Sequence, residues 1–272
     1  MSDLADKVRK FQSLHEQPGA FLLPNPWDVG TARLLASLGF EALATTSFGV
    51  ANMHGNKGVT KEETLENCRL LCEATLLPVN ADLENGFGHD PQDAADTIRQ
   101  ASACGVAGGS IEDFTNDPSA PIYDFNHAVE RVQACVEMAR SLAVPFVFTA
   151  RAENLIRGVM DLDDTIKRLQ AFEKAGADVL YAPGLKSIQD MRTVLGEINR
   201  PLNVVMGFAD PSITLAELSE AGVKRVSVGG ALSRVALQSF MDCAREMQAG
   251  RFEFINRMMP TKEIHSAFEP FE

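Results

Sequence analysis

Leu77-Pro-Val-Asn-Ala-Asp-Leu-Glu84 is an apolar run of strand length that stops at charge, and the same event recurs in Gly109-Ser-Ile-Glu112 and Phe146-Val-Phe-Thr-Ala-Arg151. In a parallel barrel, charge gathered at the carboxyl ends of strands is the layout of an active site rather than of a stabilising core. The layout predicts an enzyme. Further strand-length runs lie at Phe21-Leu-Leu23, Ala42-Leu-Ala-Thr-Thr46, Gly108-Gly-Ser-Ile111, Val179-Leu-Tyr-Ala182, Leu202-Asn-Val-Val-Met206 and Arg225-Val-Ser-Val228. With 77–81 and 146–149 they make the eight that a (β/α)8 TIM barrel, an α/β fold, requires. The helical stretches between them close on glycine, at Leu38-Gly39-Phe40, Cys104-Gly105-Val106, Ala175-Gly176-Ala177 and Ala221-Gly222-Val223, a residue that ends a helix in the left-handed conformation before the chain turns into a strand. An open doubly wound sheet is the competing architecture. It more often shows a Gly-rich phosphate turn after its first strand, where this chain has Pro24-Asn-Pro-Trp27.

The 272 residues, 45% hydrophobic and 23% charged, are enough for one large domain with a closed core. Residues 1–250 are expected to form the barrel and 251–272 a C-terminal extension that makes oligomer contacts. That extension carries Phe252, Phe254, Ile255, Met258, Met259, Phe268 and Phe271, apolar surface of the kind a partner subunit covers. Twenty-five basic residues against 37 acidic ones give a net charge of −12. This charge repels polyphosphate and anionic lipid, which argues against nucleic acid and membrane surfaces as partners while leaving small anions open. The five cysteines are odd in number and widely spaced, and the opening Met1-Ser-Asp-Leu-Ala-Asp-Lys7 lacks the apolar run of a signal peptide; the expectation is a reduced, cytoplasmic protein. Cys68 and Cys72 read as helix packing rather than metal ligands, because no histidine or second pair accompanies them. The longest stretch without regular patterning, 113–124, follows Glu112 and reads equally as a flap over a pocket or a passive surface loop.

Asp82 and Glu84 are one residue apart, so a persisting strand would aim both carboxylates at the barrel mouth and Leu83 away from it. With Glu112 from the next strand they match the few carboxylates and several waters that Mg2+ prefers, leaving positions for a chelating 2-oxo or 2-hydroxy acid. The alternative is a solvated acidic rim. No His-x-His or His-Glu-x-x-His pattern exists, and His89 is the one nearby imidazole, which disfavours a catalytic zinc. Arg151 is costly at a strand end unless it meets a carboxylate: either it grips a substrate carboxylate in bidentate fashion, or it makes a structural salt bridge to Glu153 or Glu112. The turn Thr45-Thr-Ser-Phe-Gly49 offers hydroxyls and amides to a carboxylate or oxyanion, or simply caps the next helix.

These residues resemble a family. Leu23-Pro-Asn-Pro-Trp-Asp28, Thr46-Ser-Phe-Gly-Val-Ala51, Val79-Asn-Ala-Asp-Leu-Glu-Asn-Gly-Phe-Gly88, Gly109-Ser-Ile-Glu-Asp113, Thr149-Ala-Arg151 and Val226-Ser-Val-Gly-Gly-Ala-Leu232 look like the phosphoenolpyruvate mutase and isocitrate lyase superfamily, in order and over nearly the whole chain. The resemblance implies a barrel whose C-terminal helix is swapped between subunits, a homotetramer or dimer, and a Mg2+-bound 2-oxo acid or enolate, with Mn2+ as the alternative metal. It implies that Asp82 and Glu84 sit at the metal, that Glu112 holds metal waters, and that Arg151 takes the substrate carboxylate or phosphonate. Thr46, Ser47 and Phe48 would line the carboxylate site.

Two departures bear on the reaction. Superfamily lyases acting on isocitrate-like acids carry a Lys-Lys-Cys-Gly or Lys-Arg-Cys-Gly loop after the Ile-Glu-Asp segment; here residues 114–123 contain no Cys, Lys or Arg, so a thiol proton donor is missing from that place. The mutases and hydrolases use an aspartate in the loop after the second strand, where this chain has Met53-His-Gly-Asn-Lys-Gly58, with Asn56 and Lys57 and no carboxylate. What survives is chemistry needing only a metal-bound 2-oxo acid and a stabilised enolate, and the expected reaction is C–C cleavage or decarboxylation of an oxaloacetate-like acid. Three rivals remain: a phosphonopyruvate-type P–C mutase or hydrolase, a phosphate-ester enzyme using Gly229-Gly230, and a non-catalytic 2-oxo-acid binder. A Schiff-base aldolase through Lys186 is disfavoured, since that residue lies several positions beyond its strand.

Overall fold

Short apolar runs separated by capped helices fold as that periodicity demands. The computed structural model describes residues 4–271. Eight parallel strands, β1 (Phe21–Leu23), β2 (Leu43–Ala44), β3 (Val79–Asp82), β4 (Gly108–Glu112), β5 (Val147–Arg151), β6 (Val179–Tyr181), β7 (Leu202–Val205) and β8 (Arg225–Ser227), pair in the order β1-β8-β7-β6-β5-β4-β3-β2. No ladder joins β1 to β2, and β2 is only two residues long. The gap is bridged instead by Ala44 N–H donating to Pro24 O at 3.0 Å and by Asn25 Nδ2 donating to Thr45 O at 2.9 Å. The barrel is therefore nearly closed, with one seam held by single bonds.

Around it lie α1 (Leu4–Glu16), α2 (Val29–Ser37), α3 (Ser47–His54), α4 (Lys61–Ala74), α5 (Pro91–Ala103), α6 (Phe125–Ser141), α7 (Leu162–Ala175), α8 (Ile188–Leu195), α9 (Leu215–Ala221), α10 (Ala231–Gln248) and α11 (Thr261–Phe268). Their boundaries follow from side-chain chemistry. At α4, Thr60 Oγ1 accepts the Glu63 N–H while Glu63 Oε2 accepts the Thr60 N–H, satisfying two donors that the first turn leaves free. At the other end of the pattern, Gly176 after α7 takes φ of 106° and Gly222 after α9 takes 97°, a region that costs a side chain about 1–2 kcal/mol.

Helix α1 closes one end of the barrel. Its Val8, Phe11 and Leu14 are buried with Leu23, Ala42, Ala44, Ala107, Val147 and Val179, most of them at strand beginnings. The carboxyl ends of the strands are thus left as the accessible mouth. Cys68, Cys72 and Cys135 are buried free thiols packed in the core between sheet and helices. Among the described residues no helix is long and apolar enough to cross a membrane.

The C-terminal part behaves differently from the rest. α10 buries only Ser233, while Val235 and Phe240 stand 68% and 70% exposed. α11 packs back on α2, and Phe252, Ile255, Met258 and Met259 lie exposed between the two helices. Glu272, the last residue of the expected extension, lies outside the described residues, as do residues 1–3 of the expected barrel unit.

Candidate active site

The three charged strand ends meet on one wall of a cavity of about 820 Å3 at the barrel mouth, lined among others by Thr46, Ser47, Phe48, Asp82, Glu84, Glu112 and Arg151. All seven residues singled out from the sequence therefore share one space. Pairing of Glu112 with Arg151 across β4 and β5, and of Asp82 with Ser110 across β3 and β4, sets the carboxyl ends of these strands side by side.

Glu84 arrives by a different route from the one strand alternation suggests. β3 ends at Asp82, and Glu84 adopts a left-handed φ of 47°, an uncommon conformation for a residue with a side chain. Leu83 is buried, as expected, but Glu84 comes to the cavity because the backbone turns there, not because the strand continues. A strained backbone of this kind persists only where the surroundings over-determine it. Here the Glu84 carbonyl accepts the Glu112 N–H at 2.9 Å.

Arg151 is the hub of the wall. Its guanidinium lies 3.0 Å from Asp82 Oδ1, 2.9 Å from Glu112 Oε2 and 2.7 Å from Glu153 Oε1, and it stacks 4.8 Å from the centroid of the Tyr181 ring. The salt bridge to Glu153 and Glu112 is the geometry present. Burial opposes the Arg151 charge, but Glu112 and Glu153 outweigh it and hold the group protonated. Arg157, in a single turn of 3-10 helix (Asn154–Arg157), adds contacts to Glu112 at 3.3 Å and Glu153 at 3.0 Å. Glu153 is fully buried, and its N–H donates to Asp113 Oδ1 at 2.8 Å; Asp113 in turn pairs with Arg168 at 3.1 Å. The network runs from the mouth to α7.

The carboxylates are crowded and desolvated. Burial pushes the Glu84 carboxyl up to about 7, with Asp82 adding to the shift and the Ser47 hydrogen bond opposing it. Burial also holds Glu112 well above the usual carboxylate range, against the pull of Arg151. Asp82 Oδ2 accepts the Ser47 N–H at 3.0 Å, at the N-terminus of α3, and its own N–H donates to Thr45 Oγ1 at 2.7 Å. Thr46 Oγ1 caps α3 by accepting the Gly49 N–H at 3.3 Å, so this turn does serve as a helix cap and its Ser47 amide is turned to Asp82. Among the described residues no three His, Cys, Asp or Glu side chains converge as a metal-binding group; Arg151 stands between the carboxylates.

The stretch after Glu112 leans over the cavity. Phe114 pairs with Ile122 in an isolated antiparallel bridge, Phe114 and Asn116 line the cavity, and the Arg157 guanidinium stacks 3.5 Å from the Phe114 ring. Residues 117–120 at its tip are exposed. His89 turns away from the carboxylates, its Nδ1 lying 2.8 Å from Tyr123 Oη, and Lys186 is exposed.

Sequence reasoning gave no role to Arg157, Tyr181, Asn25 or Arg234. Asn25 Oδ1 accepts the N–H groups of Val228 and Gly229 at 3.0 and 2.9 Å, tying β1 to the loop after β8. Its position between two prolines was the available signal. Arg157 and Arg234 follow their strands by several residues and carried none.

Comparison with known proteins gives the family and the fold. The chain matches the family model described as phosphoenolpyruvate phosphomutase over residues 11–248. A solved structure from Burkholderia cenocepacia J2315, provisionally described as a lyase/mutase, is 50% identical with a TM-score of 0.95, covering 98% of this chain and 97% of that one. Oxaloacetate decarboxylase 1 of Pseudomonas putida is 25% identical over 270 residues, covering 96% of this chain and 91% of that protein. A phosphonopyruvate hydrolase solved in complex with oxalate and Mg2+ is similar in fold alone, at 21% identity and a TM-score of 0.85 over 97% of this chain and 95% of that one.

Proposed function

Because the chain belongs to the phosphoenolpyruvate phosphomutase family, we propose that it is a Mg2+-dependent lyase that decarboxylates or cleaves an oxaloacetate-like 2-oxo acid through an enolate. One observation carries the reading: three carboxylates at the ends of neighbouring strands gather with Arg151 on one cavity wall. Their donor set, carboxylate oxygens at one cavity wall, fits a hard divalent ion. Mg2+ is held by one or two carboxylates and keeps several waters, so three converging ligands are not required. Asp82 and Glu84 would hold the ion and Glu112 its waters. When bound, Mg2+ would draw off the negative charge that develops on the 2-oxo oxygen.

The remaining work falls to the chain's own groups. Arg151, kept charged and aimed by Glu153, orients the substrate carboxylate and favours its ionised form. The C3–C4 bond of an oxaloacetate-like acid breaks, its electron pair enters the 2-oxo system, carbon dioxide leaves, and water from the mouth supplies the proton to C3. No cysteine in the loop after Glu112 and no aspartate beside Asn56 and Lys57 is needed for those steps, which is why the P–C mutase and hydrolase reading is second. By the same proposal residues 1–250 are the barrel unit, 251–272 make the contacts of a homo-oligomer, and the uncrosslinked cysteines suit the cytoplasm.

Calorimetric titration of oxalate, an enolate mimic, with and without Mg2+ tests the site, and oxaloacetate turnover tests the reaction. Asp82→Ala is expected to abolish Mg2+-dependent oxalate binding and to lower kcat/KM at least about 100-fold. Parent-like turnover in that variant would sink the assignment. Tight oxalate binding with no turnover of any 2-oxo acid would instead identify a binding protein.

A further inference from the structure

Nothing in the strand ladder holds Glu84 to the cavity, because β3 ends two residues before it. The turn from β3 to α5 bends through left-handed backbone three times, at Glu84 (φ 47°), Gly86 (83°) and Phe87 (60°), and two of those residues carry side chains that disfavour it. Such a path needs fastening from outside. The fastening comes from α6. Arg131 Nη2 donates to the Asn85 carbonyl, and Nη1 donates to the His89 carbonyl and, at 3.2 Å, to that of Asp90. One guanidinium thus spans the turn from the residue after Glu84 to the N-cap of α5.

The clamp is itself fixed in place. Arg131 is 1% exposed, and its guanidinium stacks 4.6 Å from the centroid of the Tyr123 ring. Tyr123 Oη in turn lies 2.8 Å from His89 Nδ1 and accepts from Asn85 Nδ2 at 3.5 Å, two side chains of the same turn. Among the described residues no carboxylate pairs with Arg131; carbonyl oxygens of the turn stand in for a counter-charge. Burial pulls its pKa down, a cost that packing does not require, since apolar side chains of similar volume serve buried sites as well or better. An apolar side chain cannot gather three carbonyls. Lysine is no substitute either, because its ammonium is a compact point charge and lacks the planar fork. Arg131 does not line the cavity.

Resting on the enolate-site reading above, we infer that Arg131 is a positioning residue for the metal: it clamps the 85–90 turn and so aims the Glu84 carboxylate at the divalent cation, touching neither the ion nor the substrate. A charge on α6, behind the acidic wall, thereby decides whether that wall presents two metal-holding carboxylates or one.

The test is calorimetric titration of Mg2+ in the presence of excess oxalate. It compares the parent, Arg131→Lys, Arg131→Gln, Glu84→Gln and the two double variants, each first shown by urea unfolding to be folded under the titration conditions. Arg131→Gln avoids a buried ammonium and serves where the lysine variant is too unstable. Either substitution at Arg131 is expected to weaken Mg2+ binding at least about tenfold in the parent background, and less than about twofold in Glu84→Gln, where no ligand is left to aim. A residue that only supports the fold would lower the urea midpoint and leave the Mg2+ affinity of the folded protein unchanged. A smaller loss of affinity in the parent background, or a loss of equal size with and without Glu84, overturns the inference, while Mg2+ binding by the parent still supports the enolate site. A parent that binds no Mg2+ in the presence of oxalate overturns both.

Discussion

Glu153 shows how much of the site depends on a residue that never reaches solvent. It binds Arg151 through Oε1 and Arg157 through Oε2, so one buried carboxylate sets the position of two guanidinium groups. Removing one partner of a buried ionic network leaves charge uncompensated, and Glu153→Gln is expected to destabilise the fold by about 3 kcal/mol, measured by urea unfolding. A second prediction at this scale concerns His15, whose imidazole lies beside Arg225 at the closed end of the barrel. Burial, then the Arg225 charge, push its pKa down to about 3. The folded chain therefore refuses a proton that the unfolded chain accepts below about pH 6.5. Stability from this group is intact above that pH and falls as pH drops toward 3, by at most about 1.4 kcal/mol per pH unit. An NMR titration should find His15 neutral at pH 5, and His15→Gln should flatten the acid limb of the stability curve; a titration midpoint near 6.5 would refute the account.

At the scale of elements, the segment from β3 to α5 decides whether Glu84 faces the cavity. Gly86 has φ of 83°, and a Cβ there would lie 2.7 Å from the Ala94 Cα in α5. Gly86→Ala meets both strain and backbone contact, so the loop must shift and take Glu84 with it. Destabilisation above about 1 kcal/mol is expected, together with weaker Mg2+-dependent oxalate binding; a variant with parent stability and affinity would show that the loop tolerates the side chain. The strands themselves were legible because each apolar run ends in charge or small polar residues. Periodicity misled at Glu84, since alternation assumes a strand that goes on and this one stops at Asp82, and at 42–46, where the apolar run yields only the two-residue β2.

For the whole molecule, the unusual feature is an 18-residue α10 with a single buried residue. Helices in folded proteins derive most of their stability from a packed face, and among the described residues nothing covers the exposed Val235, Phe240 and Phe252. Removal of residues 252–272 is expected to give smaller, poorly soluble species in light scattering, both by deleting subunit contacts and by uncovering α2 where α11 packs. A truncated protein of unchanged mass in solution would count against the oligomer proposal.

The chain's sequence by itself determined the barrel, the glycines that end helices and the strands whose ends carry the chemistry, because these depend on local apolar runs and turn residues that act within a few residues. Only the tertiary structure decided who pairs with whom. Arg151 meets Asp82 from 69 residues away, and Asn25 holds Val228 and Gly229 across more than 200. Such contacts leave no spacing to read, since they arise when a closing barrel brings distant strand ends to one mouth and burial forces each charge there to find a partner.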